Sequence, residues 1–141
     1  MTPEALAALH ARCFNPAEAW SAASFAGLLG SPGVFLEQAP AGIALGRVTL
    51  DEAELLTLAV EPAQRRQGAG ARLLAAFEAA AIRRGAARAF LEVAADNIAA
   101  IALYRRAGYA ISGRRRGYYR TQDGQRVDAL LMDRPLLPPP V

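Results

Sequence analysis

The sequence predicts an α/β fold of the mixed α+β kind: a mostly antiparallel sheet with one central parallel strand pair and helices on both faces. Three observations lead there. Three apolar, strand-like runs between residues 34 and 60 are joined by turns so short that neighbouring strands must run antiparallel. The last of these runs is followed by a glycine loop, a helical run and a further strand, the order that places a parallel neighbour across a helical crossover. Two final runs flank Asp123-Gly124 and read as a closing hairpin.

Each element has its own local signal. Thr2 is placed to cap a first helix, with Pro3 at the first helical position and Leu6, Leu9 and Cys13 on one face. Ser21 caps a second helix carrying Phe25, Leu28 and Leu29, ended by Gly30 and the Ser31-Pro32-Gly33 turn. Strands are expected over 34–38, 43–49 and 53–60. Leu73, Leu74, Phe77, Ala80 and Ala81 recur at helical spacing between Ala71 and Arg84, and a fourth strand follows over 88–94. Asp96 or Asn97 caps a helix through Tyr104 and Arg106, stopped by Gly108. Strands over 109–116 and 126–132 complete the sheet. A single domain over 1–134 is expected, with the Pro-rich tail 135–141 as a loose end.

Composition bounds the function. A chain of 141 residues, 53% hydrophobic, can bury roughly two thirds of its unfolded surface without staples. One cysteine, Cys13, excludes an internal disulfide, and with one histidine, His10, there is no His/Cys cluster for a metal. Both are expected to belong to the first helix rather than to a catalytic pair. The sequence begins without a basic-then-apolar leader, and no apolar stretch approaches the ~18 residues a membrane span needs, so a cytoplasmic address is expected. The net charge of +3 is unevenly placed. Arg65, Arg66 and Arg72 gather at the glycine loop, and Arg114, Arg115, Arg116 and Arg120 form a second group that suits phosphate or a solvated face equally.

The chemistry centres on Arg65-Arg66-Gln67-Gly68-Ala69-Gly70, between a strand and a helix start. Backbone N–H groups point outward at such a turn and the positive end of the helix dipole stands behind them, so the loop either cradles a pyrophosphate or simply caps the helix. It lacks the Gly-Lys-Ser/Thr of a Walker loop, and Leu73 stands where a dinucleotide fingerprint needs a glycine. Glu92 is a lone carboxylate in Phe90-Leu91-Glu92-Val93, a strand expected to be covered on both faces. Enclosed there it could take a proton from an attacking amine, or it could pair with an arginine. Asn97 and Tyr104, seven positions apart, share a helix face about 10 Å apart along the axis. They read as cap and core tyrosine or as ligand contacts.

With the loop, Leu56-Thr57-Leu58-Ala59-Val60-Glu61-Pro62, Leu91-Glu92-Val93, Asn97, Ala102-Leu103-Tyr104 and Gly108-Tyr109 complete a pattern. It resembles the GNAT family of acetyl-CoA-dependent N-acetyltransferases, and within it the branch that acts on alanine-starting ribosomal proteins. Trp20-Ser21, Asp51-Glu52-Ala53, Gly117-Tyr118-Tyr119 and Asp128-Ala129 extend the likeness over nearly the whole chain. The resemblance implies a parallel pair splayed at a cofactor cleft, acetyl-CoA as co-substrate, no metal, and a ribosomal-protein N-terminus as acceptor, with no membrane or direct nucleic-acid role. It implies that backbone groups at Leu58, Ala59 and Val60 meet the pantetheine arm, and that Arg66, Gln67, Gly68, Ala69, Gly70 and Ala71 cradle the pyrophosphate. Asn97 would contact the cofactor, Glu92 accept the proton and Tyr104 protonate the leaving thiolate. The family commonly has a basic residue where Ala71 stands, and Arg72 is the substitute at hand. Transfer to a small amine or a lysine side chain would use the same cofactor site. A basic RNA-binding module built on residues 114–120 is the reading from another class.

Overall fold

The computed structural model describes residues 1–121 and 123–136. Six strands form one sheet: β1 (Val34–Ala39), β2 (Gly42–Thr49), β3 (Glu52–Val60), β4 (Arg88–Ala94), β5 (Ala110–Arg120) and β6 (Arg126–Pro135), in the order β1-β2-β3-β4-β6-β5. Every neighbouring pair is antiparallel except β3 and β4. Four helices, α1 (Pro3–Cys13), α2 (Ala22–Leu29), α3 (Ala69–Arg83) and α4 (Ile98–Arg106), cover the two faces. The expected fold is therefore the observed one, including the short turns and the crossover through α3.

The alternating residues of the sheet build two cores. On one face Ala44, Ala53, Leu55, Leu91 and Val93 pack with Leu73, Leu74 and Phe77 of α3 and Tyr104 of α4. On the other, Ile43, Leu45 and Ala59 pack with Leu6 and Leu9 of α1 and Phe25 of α2. Phe35 and Phe77 stack with centroids 5.8 Å apart over Gly46. A Cβ at Gly46 would come within 2.7 Å of both rings, so glycine is what lets this stack sit on the strand. None of the described helices is long and apolar enough to cross a membrane.

Two features of the sheet prepare a site. The register of β2 against β3 shifts between Leu45 and Gly46, leaving Leu56 as an extra residue in β3. The bulge exchanges the faces of the strand: Ala53 and Leu55 point to α3 before it, whereas Thr57 and Ala59 point to α1 after it. At the same place the parallel pairing ends, since β3 meets β4 only through Glu52, Ala53 and Glu54. The closed end is pinned by Arg88, whose guanidinium binds Glu52 of β3 at 2.5 Å and Asp133 of β6 at 2.5 Å. The other end is open.

The C-terminal segment departs from expectation. β6 was to end at Met132 with a loose tail from Pro135, but Pro135 stands in register with Arg88, Leu136 donates its N–H to the Ala87 carbonyl at 2.9 Å, and the Leu136 side chain is buried beside α3. A proline at the last strand position loses no ladder bond that a neighbour needs. Residues 137–141 lie outside the described part.

Candidate active site

The open end of the β3–β4 pair is a cleft of about 470 Å³. It is lined by Leu55–Leu58, Leu91–Ala94, the start of α4, Tyr104, Tyr119, and the α1–α2 connection with Asn15, Glu18 and Trp20. Because the strands part there, the gap runs through the sheet, and residues from both faces reach it.

The β3 wall carries free backbone groups. Glu61 N–H donates to the Ala41 carbonyl at 2.7 Å, which fixes the phase of the antiparallel ladder with β2. By alternation the N–H and C=O of Ala59 face β2, while those of Leu58 and Val60 point away from it, with Leu58 at the cleft. Of the three residues expected to meet an extended arm, Ala59 therefore contributes no backbone group. The Val60 carbonyl accepts from Cys13 Sγ at 3.2 Å and from Arg65 Nε at 3.4 Å, which places the one cysteine in a structural role at the rim.

The glycine loop leads from this wall into α3. Its backbone is left-handed at Arg66 (φ 64°) and at Gly68 (φ 78°), the residue before the helix. Thr2, Ser21 and Asn97 cap α1, α2 and α4 with their side chains, whereas α3 has no side-chain cap. The first α-helical bond of α3 is Arg72 N–H to the Gly68 carbonyl, so the N–H groups at Ala69, Gly70 and Ala71 stand at the positive helix end with no cap to satisfy them. An anionic diester fits that vacancy in the bonding scheme. Ala71 and Arg72 are both exposed; the Arg72 guanidinium bends back over Gly68 and donates to the Gln67 carbonyl at 3.0 Å. Arg72, the cation expected to substitute for a basic residue at position 71, thus stands over the loop.

Glu92 and Tyr104 approach from opposite sides. Leu91 and Val93 of β4 enter the α3 core, so Glu92 between them points to the α1 face of the gap. It is not enclosed as the sequence suggested: its side chain keeps 23% exposure and pairs with Arg115 of β5 at 3.1 Å. The arginine partner is thus present, on a carboxylate that also lines the cleft. Tyr104 reaches the cleft from the α3/α4 face and is 7% exposed. Burial, with Tyr119 nearby, holds its hydroxyl protonated well above the ordinary tyrosine range. Asn97 caps α4 through Oδ1 to the Ala100 N–H at 3.2 Å and also lines the cleft.

Other groups here needed the structure to be seen. His10 is buried against Phe14 and Trp20. The Trp20 backbone N–H donates to Nδ1 at 3.0 Å, so the proton sits on Nε2 and is donated to Thr57 Oγ1 at 2.9 Å. This neutral imidazole, its pKa pushed down to about 4 by burial, joins α1, the α1–α2 connection and the post-bulge half of β3 behind the cleft. As expected, His10 and Cys13 both belong to α1. Tyr119 of β5 faces Glu92 and Glu18, and burial followed by those charges pushes its pKa up to about 12.

The comparisons with known proteins agree with this geometry. Residues 4–109 match the acetyltransferase (GNAT) family. The chain is similar to the ribosomal protein bS18-alanine N-acetyltransferase of Escherichia coli K12, at 46% identity over 96 residues, 68% of this chain and 64% of that protein. It is also similar to N-alpha-acetyltransferase RimI of Mycobacterium tuberculosis, at 44% over 95 residues, 67% of this chain and 56% of that protein. The matched segment thus spans under two thirds of the length of both relatives. The crystal structure of the ribosomal-protein-S18-alanine N-acetyltransferase from Escherichia coli superposes with a TM-score of 0.84 at 37% identity, covering 98% of this chain and 89% of that one. With a splayed parallel pair, an uncapped glycine-led helix and this match over most of its length, the chain belongs to the acetyltransferase (GNAT) family.

Proposed function

We propose that the protein transfers an acetyl group from acetyl-CoA to the N-terminal α-amine of a protein, an alanine-starting small-subunit ribosomal protein, by direct attack of the amine. The observation that carries the reading is the gap through the sheet, with Glu92 on one face and Tyr104 on the other. The names of the two sequence relatives and of the Escherichia coli structure support the choice of acceptor.

Residues Arg66 to Ala71 would hold the pyrophosphate through main-chain N–H groups, with Arg72 beside them. The edge at Leu58 and the Val60 N–H would receive the amide-bearing pantetheine arm, and Asn97 would contact it from the α4 side. Bound acetyl-CoA supplies an activated thioester carbonyl and a thiol leaving group. Glu92 takes the proton that the α-amine loses on attack, directly or through a water. An α-amine of pKa around 8 needs only such a modest base, whereas a lysine near 10.4 needs more help. Tyr104, kept protonated by burial, hydrogen-bonds the departing thiolate and returns a proton to it. No nucleophilic side chain is required, and Cys13 is engaged with the Val60 carbonyl.

The test is a calorimetric titration with acetyl-CoA, followed by thiol release with an alanine-starting peptide set beside small amines and an Nα-blocked lysine peptide. Saturable cofactor binding with the highest kcat/KM on the free α-amine is expected. Absence of cofactor binding, or preference for the small amine or lysine, would overturn it.

A further inference from the structure

Glu92 stands on β4, yet its cation comes from β5, which lies beyond β6 in the sheet. The register explains the reach. Glu92 pairs with Leu131 and Ala94 with Ala129 across β4 and β6, and Ala129 pairs in turn with Arg115 of β5. Residues paired in this way share a face of the sheet, so Glu92 and Arg115 both stand on the α1 side. Neighbouring strands are about 4.8 Å apart, and the residue between them at the level of Arg115 is the small, fully buried Ala129. An arginine stem has room to cross it, and Nη2 arrives 3.1 Å from Glu92 Oε1. Arg114, one position earlier, pairs with Leu130 on the opposite face and binds Asp128 Oδ2 at 2.7 Å.

Beyond Arg115 the strand bulges. Arg115 to Tyr119 stands against Ala129 to Val127, and Gly117 inside the bulge is left-handed at φ 59°, its N–H donating to Asp128 Oδ1 at 2.8 Å. The bulge brings the Tyr118 ring over the Arg115 guanidinium, with Cζ 5.3 Å from the ring centroid, and sets Tyr119 in the cleft. The guanidinium is thus held between an aromatic face and Glu92. Of the three carboxylates that line the cleft, Glu18, Glu92 and Asp96, Glu92 alone is in an ion pair among the described residues. A pair with both partners in reach of water adds little to stability. Its effect is on geometry, because it restricts a carboxylate that otherwise samples several rotamers.

We propose that Arg115 is a positioning residue, which holds the Glu92 carboxylate where it meets the attacking amine. The inference rests on the reading of Glu92 as proton acceptor given above. Placement matters here, since displacing a reacting group by about 1 Å can cost about 10²-fold in rate. The contact is an ion pair without the two-pronged hydrogen bonding that Arg12 makes to Glu61, so a lysine ammonium can replace it.

The experiment measures kcat and KM on an alanine-starting peptide for the wild type, Arg115→Met, Arg115→Lys, Glu92→Gln and the double variant Glu92→Gln/Arg115→Met. Arg115→Met is expected to lower kcat about tenfold with KM and the acetyl-CoA dissociation constant little changed, and Arg115→Lys to recover most of that loss. In the Glu92→Gln background the same substitution should cost nothing further, because the group through which Arg115 acts is gone. Arg116→Met removes an exposed neighbouring charge and should leave kcat unchanged. A kcat unchanged or raised in Arg115→Met, a loss confined to KM, or an equal loss in the Glu92→Gln background or in Arg116→Met would overturn the proposal. The two readings fail differently. Unaltered kcat in Glu92→Gln removes the proton acceptor and the proposal with it, whereas a loss there with none in Arg115→Met removes the proposal alone. If no peptide is acetylated, the parent reading fails, and the hold on Glu92 is judged by NMR of the Arg115 guanidinium in the CoA-loaded protein. Restricted rotation of its amino groups that Glu92→Gln releases supports the hold; the same rotation in both proteins overturns it.

Discussion

At the scale of single residues, the division of labour between Glu92 and Tyr104 follows from their surroundings. Glu92→Gln keeps the shape of the cleft but removes the proton acceptor, and Tyr104→Phe removes only the hydroxyl. Each is expected to lower kcat by about 10²–10⁴-fold, with the acetyl-CoA dissociation constant from calorimetry changing little; unaltered kcat in both would remove the assigned roles. His10 makes a different prediction, about stability. An unfolded histidine takes up its proton as pH falls through about 6.5, whereas the folded one resists until about 4. Between those values the unfolded state binds more protons, so stability present above pH 6.5 is lost as pH falls toward 4, by of the order of 3 kcal/mol. Denaturant unfolding of wild type and His10→Gln at a series of pH values should show this extra loss in wild type alone. Parallel pH profiles for the two proteins would show that the imidazole is not held neutral. That His10 sits behind the cleft was not legible from the chain, because its partners Thr57 and Trp20 come from other elements and Thr57 faces it only through the bulge.

At the scale of elements, the sequence marks the loop into α3 plainly and the bulge in β3 only faintly. The loop was legible by local chemistry, since glycines between an apolar strand-like run and a helical run mark a turn into a helix start. The bulge had a signal too: the doubled Leu55-Leu56 breaks the period of two, but the next residues resume it on the other face and the run still reads as one strand. Glu18 and Asp96 left no comparable mark, because a lone acid in a polar turn looks the same whether or not it faces a cleft. The uncapped helix makes its own prediction. A side chain at Gly68 would have to adopt φ near 78° and meet the Arg72 guanidinium, 3.1 Å from its Cβ. Gly68→Val is expected to cost at least about 1–2 kcal/mol of stability from the left-handed backbone alone. It should also weaken CoA binding by about tenfold or more while leaving pantetheine, which lacks the pyrophosphate, nearly unaffected. Equal weakening of both ligands would place the phosphates elsewhere.

Across the whole molecule, one sheet is closed at one end and open at the other. Arg88 ties β3 to β6 where the parallel pair is intact, and the bulge at Leu56 lets the strands part beyond Glu54. The strand order and the crossover could be read from turn lengths and periodicity, whereas the depth of the gap could not, because it depends on where pairing stops rather than on which strands pair. This architecture has a consequence that amide hydrogen exchange can read residue by residue. With no ligand, the amides of Leu58, Val60, Ala69, Gly70 and Ala71 face the cleft or the uncapped helix end, and rapid exchange is expected there. The Ala59 amide, which alternation directs at β2, is expected to exchange slowly even without ligand. Saturation with CoA should therefore slow Leu58, Val60 and the three α3 amides by tenfold or more and leave Ala59 unchanged, with amides at the Arg88 end equally indifferent. Free CoA at a hundred times its dissociation constant adds about 2.7 kcal/mol to global stability, which slows globally exchanging amides everywhere, so the local pattern must be read from amides that open without global unfolding. Protection spread evenly along β3, Ala59 included, would mean that the cofactor does not extend the sheet at its open edge.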